Sequence, residues 1–322
     1  MKVRNVTALL GAVGALAACS GEPSTASGEE VAASAAQAST LGAGTLYAGI
    51  NVGGNTSREV SDVVALGASA VRINNAWANK GIVRQYHDAG LKVLVVLDGN
   101  LHSGTDPSGF AQAAGNVAHD YQVNWGNAVS AYEVWNEEDN NSLSPQQYAQ
   151  LLAATCTQIK RVTNFGVKVV MGGLYKSDPT YLSSVIANMN DYGSCVDAVA
   201  FHLYENWVGC GTGQCIDFSG GSLDLKALAA RMIQVAKGKP VMLTEWGTTG
   251  STDESCLRSN IQDFFQNAVN GTGLDSAFYF KWRSAGDYDA TCHESLSEEV
   301  SLVNADYSHK LSWNVWHQVH HN

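Results

Sequence analysis

Short apolar runs, rich in β-branched residues, alternate along the chain from residue 45 onward with polar loops and with segments of helical periodicity. An apolar run of this length bounded by polar loops predicts a strand that is buried on both faces. Eight such strands are predicted, over residues 46–51, 70–74, 92–97, 131–136, 167–172, 198–204, 241–245 and 277–282.

Helices are predicted between these strands, over residues 146–163 and 257–269, with a final helix over 312–321. In the first of these, apolar side chains recur on one helical face from Tyr148 to Val162. Strands that alternate with amphipathic helices predict a parallel sheet covered by helices. Eight units over about 275 residues match one α/β (β/α)8 TIM barrel. An open doubly wound sheet is the alternative, but no Gly-x-Gly-x-x-Gly follows the first strand.

The first 44 residues have a different composition. Lys2 and Arg4 precede a small, apolar stretch that ends in Leu16-Ala17-Ala18-Cys19, which predicts a signal peptide over 1–18. The ending resembles a bacterial lipoprotein box, which implies cleavage before Cys19 and lipid on its sulfur; ordinary cleavage after a small residue is the alternative. Residues 19–44 are rich in Ser, Ala and Gly and predict a flexible tether, so the folded domain is expected over 45–322.

The composition narrows the classes of function. Charged residues make up only 15% of the 322 residues, and the formal net charge is −11. A surface of this sign repels phosphate backbones, so a nucleic-acid-binding role is not expected. We expect an exported monomer, either a cell-envelope lipoprotein or an extracellular protein, that contacts a membrane only through lipid on Cys19.

Six cysteines remain beyond Cys19, an even number that predicts disulfide bonds in an exported chain. No Cys-x-x-Cys pair occurs, which argues against a zinc site. Of the possible pairings, the short Gly-rich loop favours Cys210–Cys215 first. The two remaining pairs are then expected to be Cys156–Cys195 and Cys256–Cys292.

Two carboxylates stand where predicted strands end, the edge at which TIM barrels carry their chemistry. The fourth strand runs into Trp135-Asn136-Glu137, and the seventh ends in Thr244-Glu245. Hydrolysis of a glycosidic bond needs such a pair, one protonated at the leaving oxygen and one ionised at the anomeric carbon. The alternative is that each glutamate forms a salt bridge with a Lys or Arg at the rim.

These segments resemble the clan A retaining glycoside hydrolases, which have (β/α)8 barrels and include families 5, 39 and 128. The resemblance covers residues 45–321 and implies that Glu137 is the acid/base and Glu245 the nucleophile. It also implies that Asn136 bonds the 2-hydroxyl of the sugar. Many members carry Pro after the acid/base, whereas this chain has Glu138, whose side chain we expect to point away from the site.

Three further polar residues lie in predicted strands. Arg72 is in an apolar run, where it could pair with Glu133 or, as the clan's pattern implies, lie beside the nucleophile and keep it ionised; both roles can coexist. His202 and Tyr204 share one face of the sixth strand. The resemblance implies that the tyrosine bonds the nucleophile and that the histidine orients the carboxylates, whereas core packing is the alternative.

Aromatic rings after strand ends predict the sugar-binding track, because flat rings pack against the C–H faces of sugars. These residues are Trp77, Trp207, Trp246 and Trp282. Asp98 and His102, after the third strand, could contact hydroxyls or could equally cap their loop. Trp125 and Trp313 are assigned to helix packing.

The sequence therefore predicts a retaining β-glycosidase that uses neither metal nor organic cofactor and acts on a β-linked polysaccharide or oligosaccharide. Its carboxyl groups are expected about 5–5.5 Å apart. A non-catalytic glycan-binding barrel is the alternative, although it would need only the aromatic residues. A barrel hydrolase with a serine nucleophile is disfavoured because no Gly-x-Ser-x-Gly occurs.

Overall fold

A computed structural model describes residues 47–53, 56–140, 143–204, 224–247, 261–281, 283, 301–303 and 306–321 of the chain. Eight parallel strands, each paired with the next and the last with the first, close into a barrel, as predicted. They are β1 Tyr47–Val52, β2 Ala70–Asn74, β3 Lys92–Leu97, β4 Ala131–Val134, β5 Lys168–Leu174, β6 Ala198–Tyr204, β7 Val241–Gly247 and β8 Ser276–Tyr279.

Helices follow the strands and pack around the barrel. They are α1 Ser57–Leu66, α2 Lys80–Asp88, α3 Pro107–Asn124, α4 Pro145–Val162, α5 Pro179–Ala187, the single turn α6 Tyr192–Cys195, α7 Leu225–Val235 and α8 Leu311–His321. The predicted helix over 257–269 is described only from residue 261, and it contains a π-helical turn over Phe264–Ala268. Among the helices that the structure describes, none is long and apolar enough to cross a membrane.

Three helices begin in the same way at the carboxyl-terminal end of the barrel. A polar side chain caps the backbone N–H groups of the first turn, and a proline follows it at the first helical position. Ser144 forms a reciprocal capping box with Gln147 at the start of α4, while Asp106 and Asp178 cap α3 and α5. Each of these loops therefore ends at a fixed residue, the helix cap. This restricts the conformations of the loops that border the strand ends.

One residue of the predicted sugar-binding track, Trp246, lies in the hydrophobic core instead. Trp246 has no exposed surface and stacks on Phe264 with ring centroids 3.5 Å apart, and Trp316 packs nearby. Side chains alternate along a strand, so Glu245 faces the barrel interior and Trp246 faces the helices. The prediction that Trp246 binds sugar is wrong. Trp125 and Trp313 pack against the core, as predicted.

One disulfide joins Cys156 of α4 to Cys195 of α6, the pairing that was predicted. It closes a segment of 39 residues. In the chain-entropy model such a cross-link stabilises the fold by roughly 4 kcal/mol. Cys210, Cys215, Cys256 and Cys292 lie outside the described residues, as do Cys19 and the predicted signal peptide and tether.

Candidate active site

The chain leaves β4 in an unusual conformation just before the first candidate carboxylate. Trp135 has φ of 77° and Glu137 has φ of 54°, values that bulky residues adopt rarely and at a cost of about 1–3 kcal/mol. The backbone is held there because Trp135 N–H donates to the Leu97 carbonyl at 2.7 Å and Glu137 N–H donates to the Gly173 carbonyl at 3.0 Å. The half-buried Glu137 is thereby turned out of the strand at the barrel mouth.

The Trp135 indole occupies a slot formed by two glycines in the loop after β3. A Cβ on Gly104 would lie 2.6 Å from the indole, and one on Gly99 would lie 3.4 Å from it. Phe110 of α3 packs against the same ring at 5.5 Å. Only glycine at position 104 leaves enough room for the Trp135 indole to occupy this slot.

Glu245 lies in β7 and is 7% exposed. The pairing of β6 with β7 shifts register between Phe201 and His202, and the shift places His202 directly opposite Glu245. Bulges of this kind re-aim side chains near active sites. As a result, one carboxylate oxygen each of Glu137 and Glu245 and one ring nitrogen of His202 lie within 4.8 Å of one another.

The surroundings of Glu245 favour its ionised form. Burial alone would raise the pKa of Glu245, but His202, the Arg72 guanidinium and the Tyr204 hydroxyl together outweigh burial, so the pKa lies below its usual value. Tyr204 donates to Oε2 at 2.5 Å, and Arg72 donates to Oε1. Burial and the neighbouring carboxylate raise the pKa of Tyr204 well above its ordinary value, so its hydroxyl remains a donor.

Arg72 contacts both of the carboxylates that the sequence allowed as its partners. Its guanidinium binds Glu133 through two hydrogen bonds, of 2.7 and 3.0 Å, and also reaches Glu245. Burial would lower its pKa, but these two carboxylates raise it, so the buried group stays charged. It also donates to the side-chain oxygens of Asn51 at 2.9 Å and Asn136 at 2.6 Å, which fixes the direction of both amides.

His202 connects the two candidate carboxylates. Its Nδ1 lies 3.1 Å from Oε1 of Glu137, and its Nε2 lies 3.7 Å from Oε1 of Glu245. The ring is 1% exposed and lies over Gly173, where a Cβ would be 2.1 Å from Nε2. The glycine makes room for the imidazole inside the barrel.

Asn51 and Phe280 belong to the site and were missed in the sequence. Asn51, near the end of β1, donates to the carbonyls of Thr244 at 3.0 Å and Tyr279 at 3.3 Å while it accepts from Arg72. The strand-end rule that singled out the glutamates would have found it. Phe280, just after β8, meets the Tyr204 ring edge-on at 6.0 Å; the sequence prediction extended that strand to residue 282.

The other predicted contacts have mixed outcomes. Asp98 caps its own loop by accepting from Asn100 N–H at 2.9 Å, and His102 binds the α3 cap Asp106 at 2.9 Å, so both act as loop caps. Trp77 is partly buried against the core. Trp207 and Trp282 lie outside the described residues.

Glu138 is buried and lies on the helix side of the sheet. A Cβ on Gly172 would lie 2.5 Å from its Oε2, and Gly172 faces the helices because the next residue, Gly173, faces the barrel interior. Its side chain therefore points away from the site, as expected. Neither carboxyl oxygen has a hydrogen-bond partner in another described residue, and burial raises the pKa of Glu138 well above its ordinary value.

Glu137, His202 and Glu245 are the described residues that could together offer ligands to a metal ion. Carboxylate and imidazole ligands suit a divalent transition metal. The Arg72 guanidinium already bonds the Glu245 carboxylate, however, and its positive charge opposes a second cation at that oxygen. The arrangement fits acid–base and nucleophilic chemistry better than metal binding.

No family model and no curated protein sequence matches this chain. Several solved structures, however, match its fold. A broad-specificity endoglucanase of glycoside hydrolase family 5 from Clostridium acetobutylicum superposes with a TM-score of 0.63 at 13% identity, covering 86% of this chain and 97% of that one. An endo-β-1,3-glucanase of family 128 from Sorangium cellulosum gives 0.59 at 18% identity, covering 84% and 97%.

A family 39 enzyme from Xanthomonas axonopodis pv. citri superposes with a TM-score of 0.61 at 15% identity, over 85% of this chain and 65% of that one. At such identities the likeness shows a common fold. These three structural neighbours are glycoside hydrolases of the families that the strand-end motifs resembled, and the eight-stranded parallel barrel is consistent with clan A.

Proposed function

We propose that this protein is a retaining glycoside hydrolase that cleaves β-linked polysaccharides or oligosaccharides, with Glu137 as acid/base and Glu245 as nucleophile. The observation that carries the proposal is a buried carboxylate, held ionised by Arg72 and Tyr204, with an oxygen within 4.8 Å of a second, more exposed carboxyl. Two carboxyls whose surroundings differ in this way are suited to opposite roles in one reaction.

In the first half of the reaction, Glu245 attacks the anomeric carbon and the bond to the leaving oxygen breaks. Glu137 gives its proton to that oxygen, so the leaving sugar departs as a neutral alcohol and a covalent glycosyl–enzyme ester remains. The Tyr204 hydroxyl and the Arg72 guanidinium hold the two oxygens of Glu245 in place for the attack.

In the second half, Glu137, now ionised, takes a proton from water, and the resulting hydroxide displaces Glu245 from the anomeric carbon. Two displacements at one carbon retain its configuration. The short distance between the Glu137 and Glu245 carboxylates supports a retaining mechanism. In an inverting enzyme the two carboxylates stand about 6.5–9.5 Å apart to leave room for water. His202 contacts Glu137 at 3.1 Å and fits the role of guiding its carboxyl through both steps.

Asn136 fits the contact to the 2-hydroxyl of the sugar. Arg72 donates to its side-chain oxygen at 2.6 Å, and this bond fixes the amide plane with its nitrogen oriented as a donor. A hydrogen bond at that hydroxyl strengthens in the transition state. Trp77, Trp207 and Trp282 are proposed to supply sugar-binding surfaces beyond the cleavage point.

The names of the structural neighbours support the substrate class. Two of them are an endoglucanase and an endo-β-1,3-glucanase, and a third is an exo-β-1,4-mannosidase from an Opitutaceae bacterium. We propose a β-linked glycan for this chain as well. We further propose that the chain is exported and carries lipid on Cys19; mass spectrometry of the membrane fraction, compared with a Cys19→Ala strain, tests the anchor.

Reducing-sugar release from a panel of β-linked polysaccharides tests the activity. The wild-type protein is expected to release sugar from at least one member, and Glu245→Gln and Glu137→Gln are expected to release none. Asp88→Asn is the matched control, because that exposed carboxylate lies at the far end of α2 and pairs only with surface groups. Binding of a glycan by wild type without any release would favour the non-catalytic glycan-binding barrel.

A further inference from the structure

The amino-terminal end of the barrel contains a cavity of about 270 Å³. It lies on the inner side of the sheet, among the residues at which β2 to β8 begin. All eight strands are parallel, and Glu137 and Glu245 lie at their carboxyl ends, so the cavity is separate from the candidate active site. Its walls are apolar and consist mainly of Ala70, Leu94, Ala131, Val170, Met242 and Phe278.

Small inward side chains create this space. The interior of a TIM barrel is ordinarily filled by layers of bulky, branched residues. Here Ala70, Ala131 and Ala198 occupy inward positions near the strand starts. The next inward residues of β2 and β4 are Arg72 and Glu133, which bind each other. The alanines therefore leave an apolar space between this buried ion pair and the amino-terminal end of the barrel.

The volume and the walls of the cavity define the apolar part of a ligand. Apolar cavities in proteins take up apolar molecules, and one of about 150 Å³ binds benzene. A cavity of about 270 Å³ therefore accommodates roughly ten heavy atoms, which is enough for one short alkyl chain. It is too small for the two long chains of a phospholipid.

A buried hydroxyl shows that the ligand also carries a polar group. Ser276 lines the cavity and is 1% exposed, and its side chain faces the barrel interior because Phe278, two residues later, does so. Its Oγ has no hydrogen-bond partner among the described residues. Buried polar groups are nearly always paired, so the ligand should offer a group that bonds this hydroxyl.

Two lysines give the opening of the cavity its positive charge. Lys92 and Lys168 begin β3 and β5, line the cavity and are exposed. Each precedes by two residues an inward-facing apolar residue, Leu94 and Val170 respectively, so the lysines share the inner side of the sheet. Their aliphatic stems can extend the apolar wall while the ammonium groups stay in water.

The acidic residues at the opening do not balance this charge. Asp197 and Asp275 both line the cavity. The Asp197 carboxylate is already matched, because it binds the Lys160 ammonium and accepts from a backbone N–H of β5 at 2.7 Å. Asp275 is then the one acidic lining residue set against two lysines, so the opening favours an anion.

We propose that this cavity binds a short-chain alkyl carboxylate, with the chain among the inward apolar side chains and the carboxylate at the opening. There the carboxylate accepts from the Ser276 hydroxyl and from the ammonium group of Lys168, whose flexible stem lets it reach the anion. The site does not depend on the proposed catalytic activity, because none of the cavity's lining residues belongs to the candidate active site.

NMR of the full wild-type chain with 13C-methyl methionine tests the location, and octanoate is the probe. Titration should shift the Met242 methyl signal until one octanoate is bound per chain, because this side chain lines the cavity. Met232 is buried in α7, outside the cavity, and its signal should stay unchanged. A Met242 signal that does not shift, or equal shifts of both signals, would overturn the proposal.

Variants test the contacts by isothermal titration calorimetry at about 0.15 M salt, where the field of the net charge of −11 is screened within about 8 Å. Ala131→Leu fills part of the cavity and should weaken octanoate binding roughly ten-fold or more. Lys168→Gln should weaken it about five-fold. The matched controls Ala187→Leu and Lys226→Gln alter exposed helical residues outside the cavity and should leave binding unchanged.

Ligands of different charge test the preference for an anion. Octylammonium should bind at least roughly ten-fold more weakly than octanoate, because Lys92 and Lys168 repel it. Octanol, which has no charge, should bind Lys168→Gln as well as it binds wild type. Octylammonium binding as tight as that of octanoate would contradict the carboxylate assignment, and octanoate binding to Ala131→Leu as tight as to wild type would contradict the cavity as the site.

Discussion

Glu138 offers a quantitative test of the structure, because it is a buried carboxyl with no hydrogen-bond partner in another described residue. Glu133, Glu137 and Asp139 are acidic neighbours that oppose its ionisation further. The perturbation is Glu138→Gln, which keeps the shape of the side chain and removes the ability to ionise. We expect this variant to be more stable than wild type at neutral pH.

Proton linkage gives the sign and the size of the expected stability difference between Glu138→Gln and wild type. Since the pKa of Glu138 is raised in the folded state, the folded chain holds a proton that the unfolded chain releases above its pKa of about 4.3. Stability is therefore fully present below that pH and is lost as the pH rises toward the folded pKa. The loss is about 1.4 kcal/mol for each pH unit. Glu138→Gln has no carboxyl group at this position and does not lose this stability. The stability of the variant relative to wild type should therefore increase by the same amount with each pH unit.

The assay is urea denaturation of both proteins at half-unit steps from pH 4 to 8. The difference in the free energy of unfolding should be small at pH 4 and should rise with the predicted slope until it levels off. The control is Asp88→Asn. Because Arg84 and His87 lower the pKa of that exposed carboxyl, its contribution is present above about pH 3.9 and should stay constant across the range. A difference for Glu138→Gln that is independent of pH would refute the reasoning.

Three further outcomes are expected. Tyr204→Phe removes the 2.5 Å hydrogen bond to Glu245, so the pKa of Glu245 should rise, the acidic limb of kcat/KM should move to higher pH, and kcat should fall roughly ten-fold or more. Gly104→Ala should cost about 1–3 kcal/mol of stability and lower kcat, because its Cβ would lie 2.6 Å from Trp135. Cys156→Ser should lower stability by about 2–5 kcal/mol, measured by thermal unfolding.

Matched control variants separate the specific effects of Tyr204→Phe and Gly104→Ala from a general loss of folding or stability. Tyr192→Phe removes a buried hydroxyl that donates to Ala236 at 2.9 Å, remote from the carboxylates, and should leave the pH profile unchanged. Gly81→Ala adds a Cβ with nothing within 4 Å and should cost little. An unshifted acidic limb in Tyr204→Phe, or equal effects of the two glycine substitutions, would show that the contacts described here do not control the site.

Local pattern was sufficient to place most of the barrel and the charged centre of the site. Parallel strands must be apolar on both faces, so a charged residue inside one, such as Arg72, stands out and requires a partner. Glu137 and Glu245 could be assigned because strand ends converge at one edge of a barrel. Their mutual approach, within 4.8 Å, depends on a register shift between β6 and β7 that no local pattern encodes.

The errors and omissions also have physical causes. Trp246 adjoins Glu245, and proximity along the chain suggested a shared site, but alternation along the strand places the two on opposite faces. The role of Asn51 depends on carbonyls of β7 and β8 that are distant in sequence. The slot for Trp135 depends on positive φ values after β4, which the sequence Trp-Asn-Glu does not predict because those residues do not favour them.

The stereochemistry of the first product tests the central claim most directly. Proton NMR of the anomeric signals during hydrolysis should show the β-anomer first, with the α-anomer appearing only through mutarotation. With an activated substrate and azide, Glu245→Ala should yield the α-glycosyl azide and Glu137→Ala the β-glycosyl azide, because azide then replaces the nucleophile or the attacking water. An α-anomer formed first by the wild-type protein would contradict the double-displacement assignment of these two residues.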